Sequence, residues 1–247
     1  MAKQNEIRLK RQDFAFVVIA IFMTGAILGI SMLPKPALKA TADVMEYSVE
    51  MGIPAIDAKG AGVVGTLFTT VKPGTGRILV NVDNVLSQID TQFSSRTAVA
   101  AAANYMKTDA SSIDVIFNLR VNATTVEGPS AGSAMAASVV LALRGISPDG
   151  SIMMTGTIED DGSVGNVGAI QEKALAAKDA GAEIFIIPKG QSTKTSSRKN
   201  RSCETIGQFR ICNIRYVPES VNFSSSFGIT VVEAGTLGEI MEFYETK

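Results

Sequence analysis

The chain has 247 residues, with 23 Lys+Arg against 24 Asp+Glu, two cysteines and no histidine. The missing histidine excludes a Ser-His-Asp triad, a Cys-His dyad and His-ligated zinc, and two cysteines are too few for a four-cysteine zinc site. A net charge of −1 gives no bulk attraction to nucleic acid. Acid–base chemistry near neutral pH therefore falls to a carboxylate, a tyrosine or a lysine of shifted pKa.

Residues 1–13 form a polar tail. Phe14 to Leu33 reads FAFVVIAIFMTGAILGISML, an uncharged run of about the ~20 residues that cross a ~30 Å hydrocarbon core. It predicts a single N-terminal transmembrane helix. A signal peptide is the rival reading, with Ala40-Thr41-Ala42 as its small-residue cleavage site. The run exceeds the ~7–15 apolar residues usual in such peptides, which favours an uncleaved anchor. Lys3, Arg8, Lys10 and Arg11 precede the span, and only Lys35 and Lys39 follow closely. The positive-inside rule then places the N-terminus in the cytoplasm and the rest of the chain outside. There a disulfide between Cys203 and Cys212 is allowed; two unrelated thiols is the equal alternative. Sequons at Asn122, Asn200 and Asn222 fit an exterior location but are common by chance.

Residues 34–50, with Pro34 and Pro36, read as a linker, and 51–247 as one α+β domain. Strands are expected at Gly62–Val71 and Arg77–Val82, joined as a hairpin by the Lys72-Pro-Gly-Thr-Gly turn. Asp90–Met106 is Ala-rich and predicts a helix. Ser112–Val121 alternates Val115, Phe117, Leu119 and Val121 and predicts a strand. A helix over Ser130–Leu143 stops at Gly145. Then follow a strand over Ser151–Ile158, a Gly-rich turn over Asp160–Asn166 and a helix over Val167–Ala180. A strand at Ala182–Ile187 precedes a polar stretch, 189–227, expected as a long loop or insertion. A short strand at Ile229–Val232 and a helix at Thr236–Tyr244 close the chain.

Two features carry chemistry. The first is GPSAG at 128–132. A serine at a helix start sits among unpaired N–H groups and the positive end of the dipole, where an oxyanion is stabilised. An ordinary N-cap explains the same serine. The second is Lys173. On a helical wheel its neighbours are Ala169, Ile170, Ala176, Ala177 and Ala180, so a lysine sits at the centre of an apolar stripe. It either snorkels to water or is buried, and burial lowers its pKa. A neutral amine can take the proton of a serine hydroxyl. Together the two suggest a Ser-Lys dyad.

Three strings carry a family resemblance: VEGPSAG at 126–132, MTGTI at 154–158, and GSVGNVGAIQEKALAAKDAGAEIFIIPK at 162–189. With the weaker KGAGVVGTLFTTVKPGTGRILVNVDN at 59–84, they resemble the proteolytic domain of Lon proteases, most closely the membrane-anchored archaeal type. Ser130 and Lys173 lie 43 residues apart, the spacing of that family's nucleophile and base. The resemblance implies an α+β fold of the ribosomal protein S5 domain 2-like kind. It implies Ser130 as nucleophile, Lys173 as general base and Thr155 as the residue that holds the lysine. Backbone N–H groups near Gly128 and Ala131 would form an oxyanion hole, and Glu127 occupies a position that is acidic in the family. It also implies polypeptide substrates and a homo-oligomer; from the composition, no cofactor, metal or nucleic acid is expected.

Departures from the family are plain. No GxxxxGK[ST] phosphate loop occurs in these residues, whereas Lon proteases carry an AAA+ ATPase on the same chain. ATP-driven unfolding by this chain alone is therefore not expected. The expected function is a membrane-anchored, ATP-independent serine endopeptidase acting on flexible or unfolded polypeptides. The alternatives are a non-catalytic membrane-tethered peptide-binding module and a small-molecule kinase holding phosphate at the Gly-Ser turn.

Overall fold

The computed structural model describes Phe16, Ile19 and residues 21–24, and then residues 46–245 except 84–85, 88, 122–124, 127–128, 207 and 224–226. The chain divides into two units, Met1–Thr41 and Ala42–Lys247. In the first, the described residues are helical and exposed. The rest of the Phe14–Leu33 span lies outside the described residues. Among the described residues no helix is long and apolar enough to cross a membrane.

The second unit has mixed α+β content. Strand β1 (Tyr47–Ile56) begins inside the segment expected as linker and pairs antiparallel with β2 (Gly62–Pro73). The four-stranded sheet runs β1-β2-β5-β3, with β3 at Ile78–Asp83 and β5 at Ile113–Arg120. In β5 the buried side chains Ile113, Val115, Phe117 and Leu119 alternate, as a pleated strand with one core face requires. The expected hairpin between β2 and β3 does not form. Instead β5 lies between them, antiparallel to β2 and parallel to β3. The cause is local: Asp114 Oδ1 accepts from the backbone N–H groups of Thr75 and Arg77, at 2.7 and 2.9 Å. The turn is thereby tied to the start of β5, and β3 departs along its far side. The same bonds, from Arg77 and Thr75, hold the Asp114 carboxyl below its ordinary range.

Short strands β4 (Leu86–Ser87) and β6 (Thr125–Val126) pair in parallel. Helices α1 (Ile89–Met106) and α2 (Gly132–Arg144) bury their small residues in the core that lines the first sheet. Every residue of α2 from Gly132 to Ala142 is buried, so the helix is apolar all round. Of its two buried serines, Ser138 Oγ donates to the Met135 carbonyl and shares a hydrogen bond with Thr69 Oγ1, while Ser133 Oγ has no hydrogen-bond partner.

A second sheet is parallel, in the order β13-β10-β7, with β7 at Ile152–Met154, β10 at Ile184–Pro188 and β13 at Thr230–Ala234. Its strands divide two apolar clusters by alternation. Ile152, Met154 and Ile186 join the large core with α2 and α4 (Leu237–Glu245). Met153, Phe185 and Ile187 join a smaller cluster beneath α3 (Ile170–Asp179). The single strand expected over 151–158 is broken after Met154. Thr155 N–H bonds Ile186, Gly156 N–H bonds the Ser130 carbonyl, and the chain leaves the sheet toward Ser130. It resumes as β8 (Thr157–Ile158), paired with β9 (Val164–Gly165).

The stretch expected as a loop is a hairpin, β11 (Thr193–Ile206) with β12 (Phe209–Asn222). Cys203 and Cys212 face each other across it and are disulfide-bonded.

Candidate active site

Ser130 lies in a single 3-10 turn, Pro129–Ala131, that leads directly into α2. Ala131, at φ −90° and ψ −1°, carries no side-chain cap, so the first N–H groups of a thirteen-residue helix lie next to the serine. Two hydrogen bonds fix the turn. The Ser130 carbonyl accepts from Gly156 N–H at 2.9 Å and from Thr155 Oγ1 at 3.2 Å. Ser133 N–H then bonds the Gly156 carbonyl. The break in β7–β8 is thus what seats the serine. A methyl group at Gly156 would press on Val164 and Ser133, which explains glycine there.

Lys173 comes from α3 on the opposite side. Its side chain is 4% exposed. Nζ lies 2.9 Å from Ser130 Oγ and 3.2 Å from Thr155 Oγ1. No carboxylate is paired with it in either contact. Burial pulls its pKa down from 10.5 to about 8, because the charged form gives up hydration that these hydroxyls replace only in part. A neutral amine has one lone pair and two N–H bonds. One N–H can rest on Thr155 Oγ1 while the lone pair meets the Ser130 O–H. Thr155, buried at 2%, therefore links the serine backbone to the lysine tip.

The buried face of α3 is Ile170, Lys173, Ala174 and Ala177. That stripe is rotated from the one read on the wheel: Ala176 is half-buried and Ala180 exposed. The helix starts at Ile170, not Val167, because Ala169 takes a left-handed conformation, φ +54°. The segment 166–169 instead lines an open cleft of about 310 Å³ with Ile56, Pro129, Ser130, Thr157 and Lys173.

Of the residues singled out in the sequence, the structure brings Ser130, Thr155 and Lys173 together, with Ala131 beside them. Glu127 and Gly128 lie outside the described residues. Among the described residues no group of three or more Cys, Asp or Glu side chains gathers to hold a metal ion. Sequence reasoning did not single out Ile56, Val167 or Gln191. Gln191 clasps the cleft wall: its Oε1 accepts from Val167 N–H at 3.0 Å and its Nε2 donates to the Val167 carbonyl at 2.9 Å. A lone glutamine in a polar stretch gave no signal for that.

Several Lon proteases have sequences similar to this chain. The chain is 32% identical over 139 residues to the archaeal Lon protease of Archaeoglobus fulgidus, covering 55% of this chain and 22% of that protein. It is 30% identical over 195 residues to the Lon protease of Lawsonia intracellularis, covering 78% of this chain and 23% of the relative. The Lon protease of Rhizobium meliloti is 31% identical over 140 residues, 52% of this chain and 16% of that protein. The chain therefore spans less than a quarter of each relative's length. The family model for the Lon protease (S16) C-terminal proteolytic domain matches residues 55–200, the stretch that holds Ser130, Thr155 and Lys173, and the chain belongs to that family.

Proposed function

We propose that this chain is a serine endopeptidase in which Ser130 is the nucleophile and Lys173 the general base. The observation that carries the reading is a buried lysine, without a carboxylate in its hydrogen-bond contacts, 2.9 Å from a serine hydroxyl in an open cleft. Ser130 Oγ attacks the scissile carbonyl as its proton passes to the neutral Lys173 amine. N–H groups at the start of α2 stabilise the developing oxyanion. The resulting ammonium donates a proton to the leaving amine, and the C–N bond breaks. Water then adds to the acyl-enzyme as Lys173 takes its proton; Lys173 returns that proton to Ser130 Oγ as the C–O bond breaks, and the carboxylic acid is released. Thr155 positions the amine throughout.

Flexible or unfolded polypeptides fit as substrates, since the cleft is open and no phosphate-loop motif occurs in these residues. Hydrolysis would then proceed without ATP. Membrane anchoring is supported by the uncharged run Phe14–Leu33. The flanking cations and the Cys203–Cys212 disulfide favour a catalytic unit on the outer side. Assembly of several copies accords with the family. The test is cleavage of an unfolded polypeptide without nucleotide, with Ser130 trapped by a serine-reactive probe. Wild-type turnover in Ser130→Ala or Lys173→Ala would refute the assignment. Peptide binding without acyl-enzyme formation would leave only a binding module.

A further inference from the structure

The β11–β12 hairpin is not explained by the chemistry at Ser130. Its strands are fourteen residues each, a reach of roughly 45 Å. Among the described residues from 199 to 217 both faces are exposed, apart from the half-buried cysteines. Phe209 at the tip is 76% exposed and Tyr216 64%. Cross-strand register and strand alternation put Lys199, Arg201, Arg210, Ile214 and Tyr216 on the face that carries the disulfide. From Thr193 to Asn222 six Lys and Arg outnumber two Glu, while the whole chain carries −1. The remainder is thus net acidic, and the hairpin is the cationic part of the proteolytic unit.

Its root is at the cleft. A second cavity of about 390 Å³ is lined by Glu172, Gln191, Thr193 and Phe223, and shares Asn166, Val167 and Ala169 with the cleft of Ser130. The two hollows adjoin along residues 166–169, so the root of the hairpin borders the cleft. Both ends of the hairpin are pinned there. Ser192 N–H donates to Glu233 Oε1, Phe223 N–H donates to the Ser192 carbonyl, and the buried Phe223 ring stacks on Phe227. Finally, β11 and β12 pair only with each other among the described strands. Each therefore presents an outer backbone edge, which an extended chain can extend as a further strand.

We infer that the hairpin is a capture arm for extended, acidic segments of polypeptide, which it delivers to the adjoining cleft of Ser130. Backbone edges bind any extended chain; Lys199, Arg201 and Arg210 on the disulfide face, with Arg215 on the opposite face, select acidic ones; Tyr216 and Ile214 add apolar contact. This rests on the peptidase reading above. A lipid surface would not require a root at the cleft, and a second copy pairing through the same edges would show as a change of oligomeric state.

The experiment uses the full chain with Lys199→Glu, Arg201→Glu, Arg210→Glu and Arg215→Glu combined. Substrates are an unfolded acidic polypeptide, an unfolded basic one and a short uncharged peptide. The expected result is a KM for the acidic polypeptide raised by about tenfold or more, with kcat kept and short-peptide hydrolysis unchanged. For the wild type, the preference for the acidic polypeptide should fade toward about 0.5 M salt. An unchanged KM, or an equal loss on the short peptide, overturns the inference. So does an unchanged KM accompanied by lost binding to phosphatidylglycerol vesicles or by an altered oligomeric state, since the arm would then serve lipid or a second copy. If the wild type cleaves nothing, the peptidase reading fails separately. Fluorescence anisotropy of the acidic polypeptide on Ser130→Ala, with and without the four reversals, then still decides whether the arm captures it.

Discussion

Replacing Lys173 by methionine should abolish turnover and yet stabilise the protein. The side chains are similar in length and the site is buried, so the change removes chiefly the amine. In the wild type the folded state lowers the lysine pKa from 10.5 to about 8, a difference worth about 3 kcal/mol. The unfolded chain binds the proton more tightly, so folding is penalised in full below pH 8. Between pH 8 and about 10.5 the unfolded state holds more protons than the folded one, and wild-type stability rises with pH. Above that window the penalty is gone. Methionine has no such term, but it leaves Ser130 Oγ and Thr155 Oγ1 without the amine, at about 1 kcal/mol. The net gain at pH 7 is then about 2 kcal/mol, or roughly 4–8 °C in Tm for a unit of this size. Paired urea denaturations at pH 7 and pH 10 measure it. Lys173→Met should exceed wild type at pH 7, and most of the difference should vanish at pH 10. A variant no more stable at pH 7, with a gap independent of pH, would refute the reasoning.

Three further outcomes follow from the same geometry. With a base of pKa about 8, kcat/KM should rise about tenfold per pH unit below that value and level off above it; a flat profile between pH 6 and 8 would exclude Lys173 as the base. Thr155→Val should lower kcat about tenfold with little change in KM, by removing the link between the Ser130 carbonyl and the lysine, and Thr155→Ser should restore most of it. Gly62→Ala would set a methyl group into the Glu172 carbonyl, pushing α3 off β2; unfolding curves should show a loss of about 2–3 kcal/mol, and peptide hydrolysis should fall with it.

Sequence patterns revealed those elements whose burial is periodic. β5 showed itself by alternation, α2 by its apolar continuity, and Lys173 by sitting where only an apolar residue is expected. What was hidden depends on partners distant in the chain. Residues 151–158 have strand character throughout, and only the Ser130 carbonyl, bound by Gly156, breaks them after Met154. The turn after β2 looks like a hairpin turn until Asp114 claims its N–H groups. The β11–β12 hairpin has no buried face among its described residues from 199 to 217, so its strands carry no apolar alternation to read. The α3 stripe was found but misaligned, because the left-handed Ala169 delays the helix start.

The two halves of the dyad belong to different cores. Ser130 opens the helix embedded in the large cluster, whereas Lys173 rides on the helix above the small one, and both helices pack on β1 and β2. Their 2.9 Å separation is thus a vernier for the register of the two layers. A slip of about 1 Å between layers would leave each cluster intact but cost roughly a hundredfold in rate. On heating, catalysis should fade several degrees before the cooperative unfolding signal, and return on cooling.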